Sequence, residues 1–235
     1  MKRHIPNFIT CLNLLCGCIA IYYVFQQELV NAAYLVILAA ILDFMDGMVA
    51  RVLHAYSEIG KQLDSLADMV SFGVVPGVMM FHLLSRSVEL SDFGPTTAIV
   101  LPFMGFLMTI FSALRLAKFN IDTRQTTSFI GVPTPANTLF VISMPLILAN
   151  DTFGLAPYIL NPFVLLVITV VFSYLLVAEL PLFALKFKSF KWQGNQIRFI
   201  FLGLSVALLA LLNVTAIPVI IVLYILLSFL KPSTL

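Results

Sequence analysis

The sequence predicts an all-α membrane protein, a polytopic bundle of about eight transmembrane helices, and two observations lead to that prediction. Of the 235 residues, 61% are hydrophobic and only 10% are charged, with a mean hydropathy of +1.05; a soluble domain carries about 25% charged residues. Apolar stretches long enough to cross a hydrocarbon core of ~30 Å recur along the whole length. We therefore expect residues 1–235 to form a single integral membrane domain.

Eight helical segments follow from these apolar runs and from the Pro and Gly clusters that separate several of them. The last two segments meet around Asn213 and are expected to form a hairpin. The predicted segments are 8–27, 31–54, 62–85, 96–118, 135–150, 158–180, 197–213 and 215–230.

The basic residues divide unequally between the two faces of such a bundle. Eight spans put both termini on one side, and the connections on the other side contain a single basic residue, Arg86. Because cytoplasmic loops are enriched in Lys and Arg, both termini and the turn between the second and third helices are predicted to face the cytoplasm, with the protein in the cell (inner) membrane. The twelve basic residues on the predicted cytoplasmic face are Lys2, Arg3, Arg51, Lys61, Arg115, Lys118, Arg124, Lys186, Lys188, Lys191, Arg198 and Lys231.

Four aspartates interrupt the apolar runs of the second and third helices: Asp43, Asp46, Asp64 and Asp68. A single carboxylate near a helix end can simply reach water, but an ionised carboxylate at membrane depth is costly unless it is paired or binds metal. At 100° per residue, Asp43 and Asp46 fall with Gly47 and Ala50 within one arc of about 100° on the second helix, and Asp64 and Asp68 lie one turn apart on the third. Carboxylates that face each other in this way repel, and hard divalent cations such as Mg²⁺ or Mn²⁺ remove that repulsion.

Small and basic residues accompany the aspartates. Gly47 and Ala50 leave the face of the second helix without bulk, so that a ligand can approach the backbone, and Arg51 offers a fork of donors suited to phosphate. Ser71 is predicted to lie on the same face of the third helix as Asp64 and Asp68.

These residues together resemble the signature of the CDP-alcohol phosphotransferase family. The pattern Asp43-x2-Asp46-Gly47-x2-Ala50-Arg51-x8-Gly60-x3-Asp64-x3-Asp68 matches it at eight fixed positions within residues 43–68, the predicted catalytic signature. The resemblance implies a six-helix core, here with two further C-terminal helices, and two divalent ions. It implies attack of an alcohol on a CDP-linked group with release of CMP. It also implies that the aspartates hold the metal ions and that Asp68 serves as the general base.

The first helix carries a stripe of polar and small residues, Asn7, Thr10, Asn13 and Gly17, within about 120° of arc. Such a stripe can make hydrogen bonds between helices. It also resembles the cytidine-contacting first helix of the family, and we favour nucleotide binding by Asn7, Thr10 and Asn13. The same resemblance assigns Gly47, Ala50, Arg51 and Gly60 to the nucleotide and phosphate site.

The acceptor alcohol is indicated by a different set of residues. The segments 63–73, 115–120 and 129–135 are similar to the membrane-integral branch of the family that uses serine, although Lys118 stands where that branch usually has arginine. This similarity implies CDP-diacylglycerol and L-serine as substrates. Inositol phosphate, glycerol phosphate and choline remain alternative acceptors, and a cation-coupled transporter remains an alternative class. The predicted serine-binding residues are Ser65, Ser71, Arg115, Lys118 and Asn120.

Two further expectations concern charges and partners. Arg115 and Lys118 could instead serve only topology or contact anionic headgroups, and the role of Glu179 stays open. The expected partners are the two substrates and membrane lipids; the resemblance implies a homodimer, and nothing in the sequence predicts a nucleic-acid partner.

Overall fold

The structure is a computed structural model that describes residues 4–87, 94–122, 128–183 and 195–230. The helices are α1 (His4–Phe25), α2 (Leu29–Val52), α3 (Glu58–Asp68), α4 (Val75–Ser85), α5 (Pro95–Val100), α6 (Leu107–Ile121), α7 (Thr134–Asn150), α8 (Ala156–Ile159), α9 (Pro162–Val177), α10 (Gln196–Leu212) and α11 (Ala216–Leu230). A π-helical segment, Met69–Val74, joins α3 to α4, and 3₁₀ segments join α5 to α6 (Leu101–Phe106) and α10 to α11 (Asn213–Thr215).

Five stretches of the described chain are long and apolar enough to cross a membrane, so the protein is an integral membrane protein. The helices α7 and α9 are apolar but shorter. Helical structure lies within all eight predicted segments, which confirms the all-α membrane bundle. The five stretches are His4–Phe25, Leu29–Val52, Glu58–Ser85, Pro95–Ile121 and Gln196–Phe229.

The last of these stretches is bent back on itself. The chain turns at Asn213, whose φ is +51°. The rings of Phe201 and Tyr224 have centroids only 5.7 Å apart, whereas 23 residues of straight helix would separate them by roughly 35 Å. The helices α10 and α11 are therefore antiparallel, as predicted for the C-terminal pair.

Two short strands depart from the all-α prediction. The strands β1 (Ser128–Ile130) and β2 (Pro181–Phe183) pair antiparallel, with Phe129 opposite Leu182. The predicted sixth helix, 158–180, therefore ends early: α9 stops at Val177 and Ala178 is extended. Pro181 contributes to this ending because a proline disfavours helical backbone in the residue before it.

The third helix begins at Glu58, four residues before the predicted start at 62. The cause is an N-cap: the hydroxyl of Ser57 accepts a hydrogen bond of 3.0 Å from the Gly60 N–H. A capping hydroxyl satisfies one of the free donors of the first turn. The cap extends the helix towards its connection with α2 and places Gly60 in the first turn.

The stretch Glu58–Ser85 is the centre of the bundle. About 61% of its apolar window is buried, against 11–33% for the other four spans. The π-helical segment within it is packed on all sides, with Ser71, Phe72 and Gly73 buried. The outer spans expose many large apolar side chains, which suits surfaces that face lipid.

Candidate active site

Three carboxylates meet at one end of α2 and α3. Oxygen atoms of Asp43, Asp64 and Asp68 lie within 4.8 Å of one another. Asp43 comes from the second half of α2, and the other two lie one turn apart on α3, so the turn at 53–57 brings them face to face. Three of the four predicted metal ligands are thus assembled by the fold.

The fourth aspartate, Asp46, is not a member of this group but lies beside it. Its carboxylate is buried and accepts a hydrogen bond of 2.6 Å from the Thr10 hydroxyl on α1. It also interacts electrostatically with Asp43 and Asp64. Asp46 therefore ties the first helix to the carboxylate cluster, and its predicted role as a metal ligand stays a prediction.

The cluster offers a donor set that fits divalent metal. All of its atoms are carboxylate oxygens, the ligands that Mg²⁺ and Mn²⁺ prefer. One oxygen of Asp68, Oδ1, is buried and has no hydrogen-bond partner among the described residues. Adjacent, half-buried carboxylates with an unpaired oxygen are an arrangement that a hard cation stabilises.

The small residues of the signature leave room around the cluster. A Cβ built on Gly47 would find only an Arg51 nitrogen, at 4.0 Å. Arg51 is exposed, and its Nε donates to the Gly47 carbonyl at 2.9 Å, one turn earlier. Ala50 is half-buried on the same arc. The structure thus keeps an open, positively charged edge beside the carboxylates.

The polar residues of the α1 stripe have three different surroundings. A Cβ on Gly60 would lie 3.0 Å from Asn7 Oδ1, so this glycine allows α1 to approach α3 closely. Thr10 reaches Asp46, as described. Asn13 is fully buried, and its side-chain amide has no partner among the described residues. Hydrogen bonding between helices therefore accounts for part of the stripe, and nucleotide binding by these residues stays a prediction.

The predicted serine-binding residues fall into three places. Ser65 and Asn120 bond each other across α3 and α6, the Asn120 amide donating to Ser65 Oγ at 2.9 Å. Ser71 is fully buried and donates to the Asn13 carbonyl on α1 at 3.0 Å. Its predicted contact with the acceptor stays a prediction.

Arg115 and Lys118 line a cavity at the end of α6. Arg115 is only 7% exposed, its Nε has no hydrogen-bond partner among the described residues, and it interacts electrostatically with Asp68. Lys118 is exposed at the mouth. Asp122 and Glu179 line the same cavity, which gives Glu179 a location beside this group. Seven of the predicted cytoplasmic basic residues lie outside the described residues: Lys2, Arg3, Arg124, Lys186, Lys188, Lys191 and Lys231.

Four buried polar residues were not predicted from the sequence as part of a site. Each has a side-chain atom without a hydrogen-bond partner among the described residues. The only signal in the sequence is a polar residue within an apolar helix, and serine and threonine hydroxyls there usually bond to their own backbone. The four are Ser112, Thr134, Asn137 and Ser173.

A bundle of apolar helices with a carboxylate cluster and a buried guanidinium at one end has the features of a membrane-embedded, metal-dependent enzyme. The comparison with known families agrees with this class. The model of the CDP-alcohol phosphatidyltransferase family matches residues 3–185, and the chain belongs to that family.

Curated relatives carry a more specific name. A Bacillus subtilis protein is 36% identical over 193 residues, which cover 80% of this chain and 92% of that protein. A Helicobacter pylori protein is 37% identical over 139 residues, which cover 58% of this chain and 55% of that protein. A Methanocaldococcus jannaschii protein is 35% identical over 138 residues, 59% of this chain and 58% of its own. All three are named CDP-diacylglycerol–serine O-phosphatidyltransferase.

Proposed function

We propose that this protein transfers the phosphatidyl group of CDP-diacylglycerol to the hydroxyl group of L-serine, which yields phosphatidylserine and CMP. The observation that carries the proposal is the cluster of Asp43, Asp64 and Asp68 beside the buried cation Arg115. The names of the relatives supply the identity of the acceptor.

The reaction is a displacement at phosphorus. The serine Oγ forms a new bond to the phosphorus that carries diacylglycerol, and the bond from this phosphorus to the oxygen of CMP breaks. CMP leaves with that electron pair, and the hydroxyl proton passes to a carboxylate. Asp68 is the proposed base, since it interacts electrostatically with Arg115 and has a carboxylate oxygen without a hydrogen-bond partner among the described residues.

The cluster would hold the divalent ions. Asp43, Asp46, Asp64 and Asp68 are the proposed ligands, and Mg²⁺ or Mn²⁺ are the ions that carboxylate oxygens favour. When bound, such ions supply charge neutralisation for the diphosphate and for the leaving phosphate oxygen. Thr10 holds the carboxylate of Asp46 in place through its hydrogen bond.

The nucleotide would lie along α1 and the signature turn. Gly47 and Ala50 leave an open face, Gly60 lets Asn7 approach α3, and Arg51 presents an exposed guanidinium at the same end of α2. We assign the diphosphate to Arg51 and the cytidine to the α1 residues Asn7, Thr10 and Asn13.

The acceptor would lie on the α6 side of Asp68. Arg115 supplies a cation for the serine carboxylate, and Lys118 attracts it at the mouth of the cavity. The pair of Ser65 and Asn120, which bridges α3 and α6, fixes the distance between Asp64 and this side. Acceptors that carry a phosphate are the alternative, because a cationic site also suits phosphate.

The membrane orientation follows from the basic residues. Arg51, Lys61, Arg115 and Lys118 flank the carboxylate cluster, and Lys61 contacts Asn120 at the same end of the bundle. Arg86 ends α4 at the opposite end. By the positive-inside rule, the cluster faces the cytoplasm of the inner membrane, where water-soluble serine enters. Eight spans and a homodimer belong to the same proposal.

A CMP-release assay on the purified protein tests the proposed function. The assay uses CDP-diacylglycerol, a divalent ion and one acceptor at a time: serine, inositol phosphate, glycerol phosphate or choline. We expect CMP release with serine and little with the other three. Absence of CMP release with every acceptor would contradict the enzymatic proposal, and release with inositol phosphate but not serine would contradict the choice of acceptor.

A further inference from the structure

Several polar side chains inside the bundle have an atom without a hydrogen-bond partner among the described residues. Asn137, Thr134 and Ser112 are fully buried and Ser173 is 2% exposed, yet each has an unpaired polar atom among the described residues. In Asn137 both the amide oxygen and the amide nitrogen are unpaired. A buried polar group without a partner costs about 1–3 kcal/mol, and native proteins contain few of them. Their accumulation in one apolar bundle points to a ligand.

Two of the helices that carry these groups contact the π-helical segment that follows Asp68. On α6, the Cβ of Ser112 lies 3.3 Å from the position that a Cβ on Gly73 would take. On α7, Thr138, the residue after Asn137, donates its hydroxyl to the Phe72 carbonyl at 2.9 Å. The helices α6 and α7 thus approach the neighbouring residues Phe72 and Gly73.

The helix α9 packs against α7 through a pair of aromatic rings. The ring of Phe172, which precedes Ser173, lies 4.2 Å from that of Phe140. Phe140 follows Asn137 by three residues and therefore shares its face of α7. Arg115 lies one turn after Ser112 on α6, with its own unpaired Nε, and interacts electrostatically with Asp68. Unpaired groups on α6, α7 and α9 therefore lie on three helices that contact one another, and Arg115 links α6 to the proposed base.

We propose that these groups form a binding chamber for the amino-acid part of the acceptor and that Asn137 determines its specificity. This inference rests on the proposed function. The chamber is formed by Asp68, Ser112, Arg115, Thr134, Asn137 and Ser173. Its ligand is a small zwitterion that carries a hydroxyl group.

The chemistry of Asn137 matches that ligand. A side-chain amide offers two donors and one acceptor, so it can donate to a carboxylate and accept from an ammonium group. Arg115 pairs with the carboxylate, the threonine and serine hydroxyls complete the hydrogen bonds, and the hydroxyl of the ligand is directed to Asp68. A site built from buried polar groups rejects a ligand that lacks one of the matching groups, because its own donors or acceptors are then left unpaired.

The cavity at the end of α6 is the route by which the acceptor would enter the chamber. Arg115 belongs both to that cavity and to the chamber. Lys118, Asp122 and Glu179 line the cavity and present both signs of charge, which suits the passage of a zwitterion. Arg115 thereby separates an outer vestibule from the inner chamber beside Asp68.

The variant Asn137→Leu tests the inference, since leucine has a similar volume and no polar atoms. We expect the KM for serine to rise by about tenfold or more, the loss that corresponds to one or two hydrogen bonds. The KM for CDP-diacylglycerol should stay unchanged. If Asn137 only served packing, replacing its unpaired amide would leave both KM values unchanged and would not lower the melting temperature.

The matched control is Thr138→Val, on the neighbouring residue. The Thr138 hydroxyl is satisfied within the protein by the carbonyls of Phe72 and Thr134. Its removal should lower the melting temperature and leave the KM for serine unchanged. An equal rise in the KM for serine in both variants would show a general effect of α7 packing and would overturn the assignment of Asn137. Asn137→Ala serves the same comparison if the leucine variant does not fold.

Serine analogues test the chamber in the wild-type protein. Ethanolamine lacks the carboxylate and 3-hydroxypropionate lacks the ammonium group, and both should be at least about 100-fold poorer acceptors than serine. An analogue that serves as an acceptor as efficiently as serine would contradict the proposed chamber. Turnover of serine with an unchanged KM in both Asn137 variants would overturn the inference and leave the proposed function intact, whereas no turnover of serine by the wild type would contradict both.

Discussion

Thr10 shows how a single hydroxyl can serve both the fold and the site. The sequence left two interpretations open for the stripe on α1, hydrogen bonding between helices and nucleotide binding. The hydrogen bond of 2.6 Å to Asp46 shows that Thr10 bonds between helices. Because Asp46 belongs to the catalytic signature, a contact between helices here also fixes the position of a functional carboxylate.

The variant Thr10→Val removes this hydroxyl and keeps the shape of the side chain. Asp46 is 6% exposed, so its carboxylate would lose a charged hydrogen bond worth about 1.5–3 kcal/mol. We expect a lower melting temperature and a several-fold higher divalent-ion concentration for half-maximal activity. Both quantities can be measured on the purified protein.

The control for this variant is Thr169→Val on α9. Thr169 is equally buried, but its hydroxyl donates to the Leu165 carbonyl of its own helix. This control should leave the divalent-ion dependence unchanged. A Thr10→Val protein with the divalent-ion dependence of the wild type would show that the bond to Asp46 has no part in the site.

At the residue scale, the sequence predicts the aspartates well because helical periodicity alone places them. Asp43 lies on one face of α2, Asp64 and Asp68 share a face of α3, and a short turn brings the faces together. Asn137 could not be predicted in this way. Its role depends on which side chains of α6 and α9 surround it, and only the tertiary structure shows that its amide is unpaired.

At the scale of elements, the π-helical segment Met69–Val74 interrupts the α-helix directly after Asp68. A π-helical turn pairs residues i and i+5, so each such turn rotates the following residues relative to an α-helix. Within this segment, the hydroxyl of Ser71 donates to the Asn13 carbonyl on α1. Nothing in the composition of this segment distinguishes it from α-helix, so the periodicity used for prediction fails there. π-Helical turns occur frequently at functional sites, and this one directly follows Asp68.

Close helix crossings are a second feature of the elements that the sequence only hints at. A Cβ on Gly105 would lie 3.0 Å from the Gly77 carbonyl oxygen, so the 3₁₀ segment and α4 touch backbone to backbone. A Cβ on Gly203, in α10, would meet no atom of the described part of the chain within 4 Å. The two glycines look alike in the sequence, and only the packing shows which one allows the helices to approach.

At the scale of the whole molecule, most of the described basic residues and the carboxylate cluster lie at the same end of the bundle. The carboxylate cluster lies at the end that carries Lys61 and Arg115, and Arg86 lies at the other end. This asymmetry could be counted from the sequence, because the positive-inside rule depends on the position of basic residues along the chain and not on the fold. The short strands could not be predicted, because three-residue segments carry too little periodicity.

Cysteine labelling of intact cells tests the orientation. The wild-type cysteines Cys11, Cys16 and Cys18 are first replaced by serine, and one new cysteine is introduced as Lys61→Cys or Arg86→Cys. A membrane-impermeant thiol reagent added from outside should label the Arg86→Cys protein. The Lys61→Cys protein should be labelled only after the cells are opened. The reverse pattern would place the carboxylate cluster outside the cytoplasm and contradict the proposed entry of serine.

The central claim is that the carboxylate cluster performs the transfer, with Asp68 as the base. The most direct measurement compares wild-type protein and Asp68→Asn for CDP-diacylglycerol binding and for formation of phosphatidylserine from labelled serine. We predict that the variant binds CDP-diacylglycerol with nearly the affinity of the wild type but loses turnover by roughly 10²-fold or more, the usual contribution of a general base. Turnover at the wild-type rate in a variant that binds CDP-diacylglycerol normally would show that Asp68 is not the base.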